Sequence, residues 1–334
     1  MLRHSSDSEP GYTRKLHGRY WQYHDAAGER ITDRAEIERL NAIALPPAYT
    51  DAWFCTDPDG HVQATGKDAR GRKQYRYHAD YRAKQEASKF DGCREFGEAL
   101  PKIRRRVAKD LRKRKLGRDA VLAAVVRLLD TEYMRIGSEQ YAIANRSFGL
   151  STLRSRHLTR KRGKMKMRYV GKHGVVHEAT ITDSNLKRIV GKCQDLPGQM
   201  LFQYVNGGGE PQAITSADVN DYIRDASGGD FTAKHFRTWG ASVIFFKQLL
   251  ASADSERQTL KTALEPVAEA LGNTPTMSRK SYVHPSLIDA LQADSRDPLH
   301  GMKRPRARRR LSSAETGFLK FLKRKPRRAR RNNA

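Results

Sequence analysis

Cysteine is scarce in this chain. Its 334 residues include three, Cys55, Cys93 and Cys193, far apart and in no C-x-x-C or other metal-ligand spacing. That excludes a disulfide framework and a zinc module, and it suggests reduced thiols in a cytosolic compartment. Long apolar runs are missing too. The longest, AVLAAVV at 120–126, falls well short of the roughly 20 residues that cross a bilayer. The opening MLRHSSDSEPGY has no apolar stretch, so no secretory signal is expected. There is no EF-hand loop, no H-E-x-x-H and no convincing D-x-D cluster, which removes the commonest metal-dependent hydrolytic motifs. Acid is in short supply as well: 37 Asp and Glu stand against 64 Lys and Arg.

That last deficit turns into the main positive signal. A formal charge of +27 repels itself in a compact state, so it implies a polyanionic partner. DNA or RNA comes first, with an acidic membrane surface or a ribosome behind. Hydrophobic content of 38% fits a globular protein, and the length leaves room for two domains. From Gly301 onward, KRPRARRR and KRKPRRARR flank a short AETGFLKFL, with 14 basic residues against one acid. Such a segment reads as a flexible basic arm. The remaining body is still basic, so function is not assigned to the arm.

Residues 1–86 alternate turn signals (DAAGE, LPPAY, DPDGH, ARGRK) with β-prone pieces (RYWQYH, DAWFCT, HVQATG, KQYRYH). This predicts a small antiparallel β-rich domain. Residues 87–300 read as mainly helical. DAVLAAVVRLLDTEYMRIG carries a broad apolar stripe, with Asp119 as cap and Gly137 as stop. MKMRYVGKHGVVHEATI alternates and breaks at GKHG, predicting a β-hairpin with its tip at Lys172 to Gly174. Three more helices are expected in ITSADVNDYIRD, FTAKHFRTWGASVIFFKQLLA and SERQTLKTALEPVAEALG, the second burying Phe236, Val243, Phe246 and Leu250. The expected fold is α+β, with 301–334 as a flexible tail.

Phosphodiester cleavage must stabilise charge on a pentacoordinate phosphorus and expel an alkoxide. Two metals can do this, and so can fixed cations with a proton donor. Arginine suits the second route because its guanidinium forks onto phosphoryl oxygens without titrating. In LGNTPTMSRKSYVHP, Tyr282 sits in a short polar segment just after Arg279 and Lys280. Nearby cations favour a phenolate, so Tyr282 can be a nucleophile; it can equally be a core or surface tyrosine.

Four boxes, YMRIGSEQY, RYVGKHG, TAKHFRTW and GNTPTMSRKSY, occur in this order, and GKDARGRKQYRYH lies upstream. Together, over about residues 35 to 290, they resemble the type IB DNA topoisomerases, specifically the small poxviral and bacterial branch. The resemblance implies an enzyme that nicks one strand, holds its 3′-phosphate on a tyrosine, lets the duplex swivel and reseals it, without ATP, metal or cofactor. It carries over Arg135 and Arg237 as catalytic arginines, Lys172 as general acid to the 5′-oxygen, and Tyr282 as nucleophile. Lys234, Tyr141, Gln74, Tyr75 and Tyr77 carry over as DNA contacts, the last three on a strand in the major groove. Asn273 stands where the poxviral branch has histidine. It can donate a hydrogen bond to phosphate but cannot carry a proton. Two domains closing around duplex DNA as a monomeric clamp, without obligate protein partner or membrane, in the cytoplasm and on the nucleoid, complete the expectation.

Each residue also has a plainer role open to it. Arg135 could neutralise a helix end, Lys172 could be a solvated tip, Lys234 and Arg237 an exposed basic face, and Asn273 a helix cap. Tyr75 and Tyr77 could be ordinary strand residues. His173, His177, His235 and His284 lack carboxylate or cysteine partners at ligand spacing and are read as incidental or phosphate-adjacent. Two rival functions remain at this point: a tyrosine recombinase, although the box here is K-x-x-R rather than H-x-x-R, and a non-enzymatic architectural DNA-binding protein.

Overall fold

The computed structural model of the chain describes residues 2–252, 259–292 and 305–324. The chain divides into two compact units, Met1–Asp91 and Gly92–Ala334.

The first unit is a small α+β body. Strands β1 (Thr13–His17) and β2 (Tyr20–His24) form one antiparallel pair, turned at Gly18 in the left-handed region. After helix α1 (Arg34–Ala42), strands β3 (Thr50–Phe54), β4 (Val62–Lys67) and β5 (Lys73–Tyr77) form a three-stranded antiparallel sheet in that order, followed by α2 (Ala79–Ala87). Its core is modest: Tyr23, Leu40, Leu45, Phe54 and Ala64, with Trp21, Ile37 and Tyr49 against them. Strand β5 has only half-buried and exposed positions, as the charged and tyrosine residues in KQYRY require.

The second unit is mainly helical. In α3 (Cys93–Asp110), Phe96, Leu100, Ile103 and Val107 recur at three- and four-residue spacing and are buried on one face. Helix α4 (Arg118–Glu132) is buried nearly all round from Ala120 to Leu129, because α3 and later helices enclose it. Its N-cap is Gly117 rather than Asp119, which lies in the first turn, and it stops at Tyr133 rather than Gly137. A short α5 (Glu139–Asn145) follows.

The predicted hairpin is part of a larger sheet. Strands β6 (Leu158–Lys161), β7 (Lys164–Val170) and β8 (Val176–Ile181) pair antiparallel in that order. Alternation along β7 buries Met165, Met167 and Tyr169. The tip is a single turn, Lys172–Gly174, with His173 and Gly174 at positive φ.

Beyond it come α6 (Ser184–Gln194), the short pair β9 (Gln203–Val205) and β10 (Pro211–Ala213), and α7 (Ser216–Ser227). Helices α8 (Ala233–Ser252), α9 (Leu260–Leu271), α10 (Pro275–Ser281) and α11 (Pro285–Gln292) follow. Phe236, Val243 and Phe246 are buried on α8, and Leu250 packs at the edge of the same core.

One expectation needs correction. Part of the segment read as a flexible basic arm is folded. Residues Ser313–Leu322 form a helix, α12, with Phe318 and Leu319 buried in the main core. The reason is local: Ser312 and Glu315 make a capping box, and AETGFLKFL offers one apolar face between the basic runs. The final basic residues, 325–334, lie outside the described residues.

Candidate active site

Four residues separated by up to 147 positions converge in the second unit, and the backbone explains how. Helix α4 ends because Tyr133 adopts a left-handed conformation, φ 49° and ψ 30°. Such geometry costs a non-glycine residue about 1 kcal/mol or more. It turns Met134 into the core and frees Arg135 from the helix. The segment is then pinned: the Leu150 N–H donates to the Arg135 carbonyl at 2.9 Å, and the Ser151 N–H to the Ile136 carbonyl at 2.7 Å. Gly149 permits this approach, since a Cβ there would lie 2.5 Å from the Gly137 nitrogen.

Arg237 comes from α8 and is only 4% exposed. Its guanidinium donates to two main-chain carbonyls, those of Tyr133 and of Leu271, the second at 3.0 Å. It thereby ties the end of α4 to the end of α9. Burial, with Arg135 adding to it, lowers its pKa to about 10, which leaves it charged at neutral pH.

Helix α9 stops at Gly272, in the left-handed region at φ 60°. The Asn273 N–H then donates to the Ala268 carbonyl at 2.9 Å, so this backbone does cap the helix. Its side chain does something else: Oδ1 accepts from Arg135 Nη2 at 2.7 Å.

Tyr282 closes α10. The Arg237 guanidinium lies 5.0 Å from the centre of its ring. Burial raises the phenol pKa, but Arg237 and then Arg135 outweigh it by charge and hydrogen bonding, so the net shift is downward. The backbone is held by Ser242 on α8, whose Oγ accepts from the His284 N–H at 3.0 Å and shares its one proton between the Thr238 carbonyl at 2.8 Å and the Tyr282 carbonyl at 3.3 Å.

The structure therefore brings together Arg135, Arg237, Asn273 and Tyr282. None of the four is a carboxylate. Arg237 Nε and Asn273 Nδ2 are buried donors without a hydrogen-bond partner among the described residues. Unpaired buried donors beside two guanidiniums suit an anionic oxygen-rich group such as a phosphodiester, and the acidified phenol beside them is a fitting nucleophile.

The other expected residues of the second unit make no hydrogen bond with these four among the described residues. Lys172 is exposed at the hairpin tip, Lys234 is exposed on the first turn of α8, and Tyr141 lies half-buried on α5. In the first unit, Gln74 donates to Asp68 at 3.1 Å. Tyr75 and Tyr77 are 46% and 41% exposed, and their rings stack at 6.0 Å with 13° between planes. Tyr81 continues the stack at 5.5 Å from Tyr77.

Of two further site neighbours, Tyr169 escapes the sequence reading, which takes His177 as incidental or phosphate-adjacent. Tyr169 and His177 face each other across β7 and β8, with rings 5.2 Å apart. Desolvation, then Arg135 and Arg237, lowers the His177 pKa, keeping the imidazole neutral. Its ring packs on the end of α9: a Cβ at Gly272 would lie 2.4 Å from His177 Cε1. Counting the hairpin register outward from its tip would have found this pair.

Comparison with known proteins adds an independent line. Residues 78–304 match a family model described as the eukaryotic DNA topoisomerase I catalytic core, and residues 20–68 match one for the bacterial DNA topoisomerase IB N-terminal domain. The chain is 31% identical to DNA topoisomerase 1B of Acanthamoeba polyphaga mimivirus over 284 residues, covering 81% of this chain and 84% of that one. It is 21% identical to DNA topoisomerase 1B of vaccinia virus (strain Copenhagen) over 275 residues, covering 78% and 83%. DNA topoisomerase 1 of rabbit fibroma virus is 22% identical over 243 residues, covering 69% and 72%. These matches favour neither the recombinase nor the architectural reading.

Proposed function

The chain belongs to the type IB DNA topoisomerase family, and on that premise we propose that Tyr282 is the nucleophile of an ATP- and metal-independent cycle of single-strand cleavage, strand rotation and religation on duplex DNA. Its phenolate oxygen attacks phosphorus in line. The P–O5′ bond breaks, the tyrosine becomes joined to the 3′-phosphate, and a proton supplied by Lys172 goes to the departing 5′-oxygen. Strand rotation follows. In resealing, the 5′-hydroxyl attacks the same phosphorus, returns its proton and expels the tyrosine. The number of phosphodiester bonds is unchanged, so no external energy source enters the balance.

Arg135 and Arg237 stabilise the phosphorane oxygens, and Asn273 contributes a neutral donor. What carries this reading is the placement of Arg237 over the Tyr282 ring at 5.0 Å, with Arg135 acting on the same phenol. Lys172 has a different warrant: it is exposed on a hairpin tip, where a cation can reach toward a bound duplex. Its role requires the ammonium to reach the leaving oxygen in the DNA complex.

We assign the second unit to chemistry and the first to DNA contact, with Gln74, Tyr75 and Tyr77 meeting the duplex. The exposed, stacked tyrosines of β5 support that role. Tyr141 and Lys234 are assigned to further DNA contacts. The protein is proposed to act as a bacterial monomer in the nucleoid; no helix among the described residues is long and apolar enough to cross a membrane. The deciding experiment mixes protein with supercoiled DNA in EDTA and quenches with denaturant. Relaxation and a trapped protein–DNA adduct are expected, and Tyr282→Phe should remove both. An adduct that persists in Tyr282→Phe refutes the assignment.

A further inference from the structure

Helix α12 lies beyond residue 304, where the match to the topoisomerase catalytic core stops. It is nevertheless built into the elements that carry the reactive groups. Phe318 is fully buried. Its ring lies 5.2 Å from Trp239 and 5.9 Å from Phe246, both on α8, and 6.1 Å from His284, two residues past Tyr282. The helix that presents Arg237 and the segment that presents Tyr282 are thus joined twice, once by Ser242 and once by Phe318. The approach is close: a Cβ on Gly317 would come 2.7 Å from the Phe246 ring.

Glu315 adds an ionic tie. It is 6% exposed, and its carboxylate accepts from Arg104 at 2.7 and 3.1 Å, from the Trp239 indole at 3.2 Å and from the Ser312 N–H at 2.7 Å. Arg104 reaches on to both oxygens of Asp130 at 2.8 Å, five residues before Arg135. A buried carboxylate is costly unless its lone pairs are met, and here they are. Through this network α12 is bonded to α3, α4 and α8 together. A helix that served only to carry a basic arm would need none of these buried contacts.

We propose that α12 is a positioning element of the active site: Phe318 and Glu315 hold α8 and the Tyr282 segment in the mutual register that sets Arg237 against Tyr282. This rests on Tyr282 being the nucleophile. Geometry at that junction is worth large factors, since a misplacement of about 1 Å can cost about 100-fold in rate.

The test uses the full chain with Phe318→Ala, Phe318→Leu, Glu315→Gln and Trp239→Phe. Each is assayed for single-turnover adduct formation at saturating protein across pH, for DNA affinity and for thermal unfolding. Phe318→Ala should cleave 10- to 100-fold more slowly, with affinity within about 2-fold, while Phe318→Leu recovers most of the rate. The pH–rate inflection of Tyr282 should move to higher pH as Arg237 shifts away from it, a change that partial unfolding does not produce. If Phe318→Ala fails to fold, Glu315→Gln and Trp239→Phe carry the test, with the same inflection shift and a loss near 10-fold expected. Folded variants that cleave at the parent rate overturn the proposal, as does a loss of rate with an unmoved pH profile. Tyr282→Phe runs alongside. Should it still form the adduct, the nucleophile assignment fails; should it be inert while the α12 variants cleave normally, only the positioning role fails.

Discussion

Replacing Arg237 with lysine keeps a positive charge and removes the fork, so it separates charge from geometry. In the structure two guanidinium nitrogens hold the Tyr133 and Leu271 carbonyls, and Nε remains a buried donor without a partner among the described residues. A lysine has a single terminal nitrogen and cannot hold both carbonyls while also facing a phosphate. Losing one charge-assisted hydrogen bond in the transition state is worth about 1.5–3 kcal/mol, or about 10- to 150-fold in rate. The environment adds a second effect. Burial and the neighbouring Arg135 bring Arg237 down to about 10, and the same surroundings would lower a lysine below its ordinary value. Because the charged form is the useful one, cleavage by Arg237→Lys should decline toward the alkaline end of a pH 6 to 9.5 range. The parent enzyme should show no such decline over that range. The assay is single-turnover adduct formation on a short duplex at saturating protein, from pH 6 to 9.5. A lysine variant that cleaves within about 3-fold of the parent and follows the same pH curve would refute the argument that the fork matters.

Four further expectations follow from named contacts. Lys172→Ala should slow cleavage of ordinary DNA yet recover on DNA with a 5′-thiol leaving group, which needs no proton; absence of recovery removes Lys172 as the acid. Gly272→Ala places a side chain at φ 60° and drives a methyl against His177; urea titration should show a loss of about 2–3 kcal/mol, with His177→Ala in the same chain restoring the part due to the clash. Asp110 is buried. Burial raises its pKa, but hydrogen bonds from Lys113, Arg106 and Tyr222 hold it below 3.8, so its stabilising share is complete at neutral pH and lost as pH falls through that lowered value. Asp110→Asn should therefore lower stability by about 2–4 kcal/mol at pH 7, and the gap should begin to narrow only in melts taken below pH 3.8. Ending the chain after Arg324 removes five basic residues and leaves α12 in place; binding should weaken most at low salt, with a shallower salt slope, while single-turnover cleavage stays at the parent rate.

Much of the architecture is legible in single stretches. Alternation and turn residues mark β2 to β5, and the apolar stripe marks α4, because each of these depends on near neighbours. The converging residues are legible only as ordered boxes; what joins them is not. Nothing in the sequence says that Tyr133 will take a left-handed conformation, yet that one residue turns Arg135 out of α4 and exposes the carbonyl that Arg237 binds. The hold on Leu271 depends on Gly272, which does announce a helix end. Tyr169 and His177 are eight residues apart and meet only through the hairpin register. Helix α12 is masked in the sequence because basic runs on both sides dominate composition, although the S-x-x-E signature from Ser312 to Glu315 marks its start.

Ser242 has one more consequence. By meeting the carbonyl of Tyr282 and the amide of His284, it moors the chain on either side of the phenol to a twenty-residue helix. Under the proposed cycle, the captured DNA end would hang from a fixed post. Unwinding torque would then be absorbed by the free strand turning about its intact partner, and the captured end would still be in place when the 5′-hydroxyl comes back round.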